Sequence, residues 1–385
     1  MWDLITTRSP ITHSTLTNSY GAGSRAAVEP PGYAPGSLDQ KTVRRFGFAF
    51  TPDGRQFITT DQEGTLGVWD AHSLEKTGTL SAWGSNHWGV ALSPDGRWLA
   101  AGITSEKVNL WDWQARRLVQ TLAIPFEWFG RLFFSRSGHF LLGGTVRTDR
   151  TASVRIWRTN DWAIVPWVGT QSSNLYTMDL SPDDRLLATG DANGVVRLGP
   201  FLSGEPGTTI LNHRGAVTAL AFSPDGRVLA SASMDGDVRL WNVVAGRELP
   251  TLRGHLGAYS AAFSPDGRRL ATGGLVAKDA VKLWDLATQR EILTLTPQEA
   301  CDSFFQIACS PDGSTLAATS FTGVTHLWRA PSWDEIAATE RRAAPQPGGG
   351  ATANKQQELR NPESESPGAP PPGPKRVSNS KSKSP

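Results

Sequence analysis

The chain has 385 residues, 38 of them basic and 36 acidic, for a formal net charge of +2. That balance supplies no field to draw in nucleic acid, no run reaches the roughly 18 apolar residues of a membrane-crossing helix, and no charged segment leading into an apolar stretch marks a signal peptide. The two cysteines, Cys301 and Cys309, build no disulfide framework, so the chain is expected to be cytoplasmic with both thiols reduced.

Taken in chain order, residues 1–17 hold Trp2-Asp3 and then Ile11-Thr12-His13-Ser14-Thr15-Leu16, which reads as a strand. The segment has the cadence of the end of a unit that recurs downstream, as in Trp284-Asp285-Leu286. Residues 18–40 are rich in Gly and Pro and read as a loop. From 41 to 330 one unit repeats. Its marker is Ser-Pro-Asp-Gly or a near variant, found at 51, 93, 135, 181, 223, 264 and 310. The third and fourth copies depart, as Ser135-Arg136-Ser137-Gly138 and Ser181-Pro182-Asp183-Asp184.

Pro presets φ and Asp-Gly supplies the remaining turn geometry, so each marker is a hairpin turn. Before it lies an alternating strand such as Val217-Thr218-Ala219-Leu220-Ala221-Phe222, and after it a second, Val228-Leu229-Ala230-Ser231-Ala232. A turn at Met234-Asp235-Gly236 leads to Val238-Arg239-Leu240-Trp241, and a fourth strand ends near Leu252. Four short antiparallel strands per unit make a propeller blade, and seven such blades bury one another's faces.

The third strands end in Trp69-Asp70, Trp111-Asp112, Trp157-Arg158, Trp241-Asn242, Trp284-Asp285 and Trp328-Arg329; only the fourth unit departs, with Leu198-Gly199. A Gly-His pair survives as Gly254-His255 and, altered, as Asn212-His213. On these residues the chain resembles the WD40 repeat family, in a style similar to its bacterial members. The resemblance implies an all-β, seven-bladed propeller with four antiparallel strands per blade. It also implies a buried hydrogen-bond network in the fifth unit, made by His213, Ser231, Asp235 and Trp241. Elsewhere Glu63, Ser105 and Thr322 stand where the Asp belongs, so those blades are expected to lean on apolar packing.

The seventh unit lacks an obvious fourth strand. Residues 331–342 read instead as a short helix, with Pro331, a capping Ser332, then Asp334 and Glu335 before alanines. Residues 1–17 are therefore expected to supply the closing strand of the last blade. A piece of an older, longer array would carry the same segment. Residues 343–385, rich in Pro, Gly, Ser and Lys, are expected to be a disordered tail.

In this family, residues at the start of each blade's first strand approach the entrance of the central channel. Counted five residues before each turn, they are Phe46, Trp88, Gly130, Tyr176, Thr218, Tyr259 and Phe305, with Trp128 close to Gly130 and Arg44 nearby. An aromatic partner-binding rim and ordinary core packing fit this pattern equally well. A second aromatic group (Trp83, Trp98, Trp113, Phe126, Phe129, Trp162, Trp167) is expected to fill space between blades two, three and four. No spacing of His or Cys suggests a metal site, no Gly-rich phosphate loop is present, and no catalytic set or cofactor is expected. The resemblance implies a noncatalytic scaffold binding a protein or peptide partner, as a monomeric propeller within a larger complex. The alternative is a sensory or regulatory module beside a signalling enzyme such as a bacterial Ser/Thr protein kinase.

Overall fold

Each repeat is organised by its turn. In six of the seven, the hydroxyl of the first residue donates to Oδ1 of the Asp at 2.5–2.6 Å, and the same oxygen accepts the backbone N–H two residues on. The tetrapeptide thus closes on itself before any tertiary contact forms. Its Gly has a tertiary reason as well. Gly96 sits at φ +69°, and a Cβ there would stand 3.8 Å from the ring of Pro52 in the preceding blade. The same pairing of one turn's Gly with the previous turn's Pro recurs at Gly54 on Pro311, Gly226 on Pro182, Gly267 on Pro224 and Gly313 on Pro265. The turns therefore form a ring of contacts on one face.

A computed structural model describes residues 12–16, 47–60, 65–81, 89–104, 107–123, 128–146, 152–166, 175–203, 207–275, 281–296, 303–320 and 325–330. All lie in the first of two units, Met1–Thr339. The described residues form seven four-stranded antiparallel sheets and no helix. Blades one to six lie within 48–81, 90–123, 128–165, 175–212, 217–253 and 258–295, each in simple sequence order. The seventh takes three strands from 304–329 and its outermost from the other end of the sequence: Thr12–Leu16 pairs antiparallel with Thr325–Arg329, with Ser14 opposite Leu327. The expectations for the loop at 18–40, the helix at 331–342 and the tail at 343–385 fall outside the described residues.

The core lies between blades. Apolar side chains fill the wedge between neighbouring sheets, as with Ala271, Leu283, Ile307, Leu316 and Trp328 between blades six and seven. The residue after every third strand (Ala71, Trp113, Thr159, Phe201, Val243, Leu286, Ala330) donates its N–H to the carbonyl just past the turn, at 2.8–3.1 Å. Several of these side chains then pack on the preceding blade; Phe201 meets Phe140 edge-on at 5.2 Å. Trp113 is buried, and Trp98 and Trp162 meet edge-on at 5.3 Å between blades two and three. The other members of that aromatic group have side chains outside the described residues.

A candidate interaction surface at the channel mouth

The innermost strands of blades four to seven begin with the same irregularity. Leu175 pairs with Asp191 and Thr177 with Gly190, which leaves Tyr176 opposite no residue. Thr218, Tyr259 and Phe305 are skipped in the same way in their own strands. Each is the extra residue of a β-bulge. A bulge takes one side chain out of the ladder's alternation and re-aims it. Tyr176, Tyr259 and Phe305 are partly exposed, while Leu175, Ala258 and Phe304 just before them are buried. Thr218, in the blade between the two tyrosines, is anchored: its hydroxyl lies 2.8 Å from the Ala258 carbonyl of the next blade and 3.1 Å from that of Ala232.

These four residues form an arc over consecutive blades. The third innermost strand, Trp128–Phe134, also slips register between Phe129 and Leu132. Trp128 lies in that strand, and its side chain is outside the description. Phe46, Trp88 and Arg44 also lie outside the described residues.

The buried polar groups of blades five and six are connected differently. In blade five, His213 Nδ1 is 3.2 Å from Asp235 and Nε2 is 2.8 Å from Ser231 Oγ. Burial pushes the imidazole below its usual range, against the pull of the Asp235 charge. The ring is therefore neutral, donating Nδ1–H to the carboxylate and accepting from Ser231. Burial tends to raise the Asp235 carboxyl, but the N–H groups of Arg214 and Asp237 and the imidazole outweigh it, and the net shift is downward. Trp241 takes no part in this chain of bonds among the described residues; it packs on the apolar cluster of Leu220, Phe222 and Val196. In blade six the indole does take part: Trp284 Nε1–H donates to Thr272 Oγ1 at 2.7 Å, and Thr272 is 2.7 Å from His255 Nε2. This second network was legible in the sequence, since Thr272 and Trp284 occupy the repeat positions of Ser231 and Trp241.

Ser231 and His213 lie beneath the surface, with Ser231 fully buried, so this Ser–His–Asp set presents no nucleophile to a substrate. Burial also pushes the Cys309 thiol up to about 12, which keeps it protonated at neutral pH. Among the described residues no cluster of three or more His, Cys, Asp or Glu side chains could hold a metal, and no helix is long and apolar enough to cross a membrane.

Fold and repeat together define the class: an all-β propeller of seven four-stranded antiparallel blades. Residues 75–112, 167–198, 204–242 and 246–285 match the family model described as WD domain, G-beta repeat. Over 96 residues the chain is 29% identical to a protein described as eukaryotic translation initiation factor 3 subunit I, from Neurospora crassa. That stretch is 25% of this chain and covers 28% of the relative's length.

Proposed function

We propose that the propeller is a noncatalytic scaffold that captures a protein or peptide partner at the mouth where the bulged strands begin. The observation that carries this reading is the arc of Tyr176, Thr218, Tyr259 and Phe305. Four successive blades put the off-ladder residue of their innermost strand at the same place in the repeat, and three of the four are partly exposed aromatics. Aromatic rings held by a rigid sheet lose little entropy on binding, so their burial appears as affinity. In this proposal Phe46 and Trp88 share that sequence register, and Trp128 and Arg44, each two residues ahead of it, also contribute. The matched relative is named as a subunit of a larger factor, and this chain is proposed to work as a subunit of an assembly as well.

The test is affinity capture from native lysate, read by quantitative mass spectrometry, with wild type beside a Tyr176→Ala/Tyr259→Ala variant. Both side chains stand off the ladder, so the variant is expected to keep the wild-type circular dichroism spectrum and to lose its captured partner at least tenfold. Equal capture by a folded variant would move the site elsewhere. Unfolding of the variant would make these residues core.

A further inference from the structure

A cavity of about 290 Å³ lies at the opposite end of the channel, beside the turns, lined by blades three to seven. The position two residues before each turn is Ala in five blades; Phe133 and Asp179 stand there in blades three and four. The second residue of the turn is Pro in six blades and Arg136 in the third. At the same junction Asp184 replaces the turn Gly, and the ring of Gly–Pro contacts gives way to a side-chain bond from Ser137 to Asp184. These departures meet at one point. Arg136 Nη2 donates to the Phe222 carbonyl at 3.2 Å, reaching from blade three to blade five. Asp179 Oδ2 accepts from the Phe222 N–H at 2.7 Å. All three residues line the cavity.

Joining blades does not require charge. The Gln306 amide brackets both backbone groups of Phe48 across the ring's seam, at 3.1 and 2.6 Å. Ser260 and Thr218 hydroxyls tie their blades to the next. At Phe222 a guanidinium and a carboxylate act together on the two backbone groups of one residue. N–H and C=O of one extended residue project to the same side of a strand. Arg136 and Asp179 are thus held side by side, at the spacing of a single N–Cα–C unit. One donor of the guanidinium is engaged at Phe222, and a guanidinium carries five. Around them run the inner edges of five sheets, whose outward backbone groups have no neighbouring strand, and a wall of Ala221, Ala262 and Ala308. Small-ligand sites orient their ligand with a few fixed polar groups, and this volume is near the lower end of their range.

We propose that this cavity binds a small zwitterion, a free α-amino acid, with its carboxylate on Arg136 and its ammonium on Asp179. The site is independent of the aromatic arc at the other mouth. The test screens the full chain against a mixture of the twenty free L-amino acids by saturation-transfer NMR, then by calorimetry with the one that binds. Asp179→Asn keeps an acceptor for the Phe222 N–H, and Arg136→Gln puts a shorter neutral amide in place of the guanidinium, so each removes one charge. Binding by wild type at millimolar or tighter concentration, weakened at least tenfold in both variants with unchanged melting temperatures, supports the proposal. Absence of binding to every amino acid overturns it, as does affinity unchanged in either variant. Equally tight binding of acetate alone would also overturn it, since that would define an anion site only. If either variant melts early and wild type binds no amino acid, the pair is a staple between blades and nothing more.

Discussion

His213 shows how one buried side chain ties the sequence to stability. Its neutral ring satisfies Asp235 and Ser231 together, at the cost of excluding a proton that the unfolded chain takes up below about 6.5. With a lowered folded value, the unfolded state binds more protons in this window, so stability falls as pH drops through it. The turn carboxylates act further down. Bonds from Thr51, Ser181 and Ser223 hold Asp53, Asp183 and Asp225 below the ordinary 3.8. Their contribution is full above that value and is lost as pH falls through their folded values. The melting temperature followed from pH 8 to pH 2 is expected to fall in two steps, the first starting near 6.5. His213→Gln should shrink the first step and leave the second. A first step of unchanged size would show that His213 does not govern it.

At the scale of the element, the hairpin joining the third and fourth strands shows a local conflict resolved by packing. One residue in this turn is left-handed in five blades: Leu74 (φ 61°), Arg116 (53°), Trp162 (58°), Gly246 (61°) and Gln289 (56°). Only blade five uses Gly there. A side chain in that region costs about 1–2 kcal/mol, and three of the four non-Gly residues recover it across the blade boundary. Arg116 bonds Gln56 of blade one at 3.2 Å and lies 3.4 Å from the Trp113 ring centroid; Trp162 meets Trp98; Leu74 packs on the cluster of Phe48, Phe57, Ala317 and Leu327, which spans blades one and seven. Among the described residues Gln289 shows no comparable contact. Gln289→Gly is therefore expected to stabilise the protein by about 0.5 kcal/mol, the relieved strain less the added chain entropy. Trp162→Gly should destabilise it by about 2 kcal/mol, through loss of an aromatic contact and apolar burial. Urea unfolding measures both, and equal effects at the two sites would remove the distinction drawn here.

For the whole molecule, the decisive contact is between segments more than 300 residues apart in the sequence. Each blade packs on two neighbours, so the ring is as strong as its seam. That seam consists of Thr12–Leu16 on Thr325–Arg329 and the Gln306–Phe48 bracket. Without its fourth strand, blade seven would expose a row of unpaired backbone groups on Thr325–Arg329, a template for pairing with other chains. Ser14→Pro removes a donor from the middle of the closing strand. It is expected to lower the melting temperature by several degrees and to produce concentration-dependent light scattering below that temperature. A variant that melts and scatters like wild type would show that the pairing adds little to closure.

Seven turns, their alternating flanking strands and the Trp at the end of six of the seven third strands specified the number of blades and the order of strands within them. Those are local matters of turn chemistry and two-residue alternation, and they can be read without knowing what lies opposite. Even the closing strand was legible, because the seventh unit visibly lacked one and the first residues had the form of the missing piece. What a period-two pattern cannot show is where the period breaks. Tyr176, Tyr259 and Phe305 could equally have continued the core until strand pairing placed each of them in a bulge. Nor could the altered turn residues Arg136 and Asp184, or Asp179 in place of Ala, be told from harmless drift. Only the closed ring brings residues from blades three, four and five to one backbone unit, because the contacts that give those side chains a role lie between blades, and a repeat read singly contains none of them.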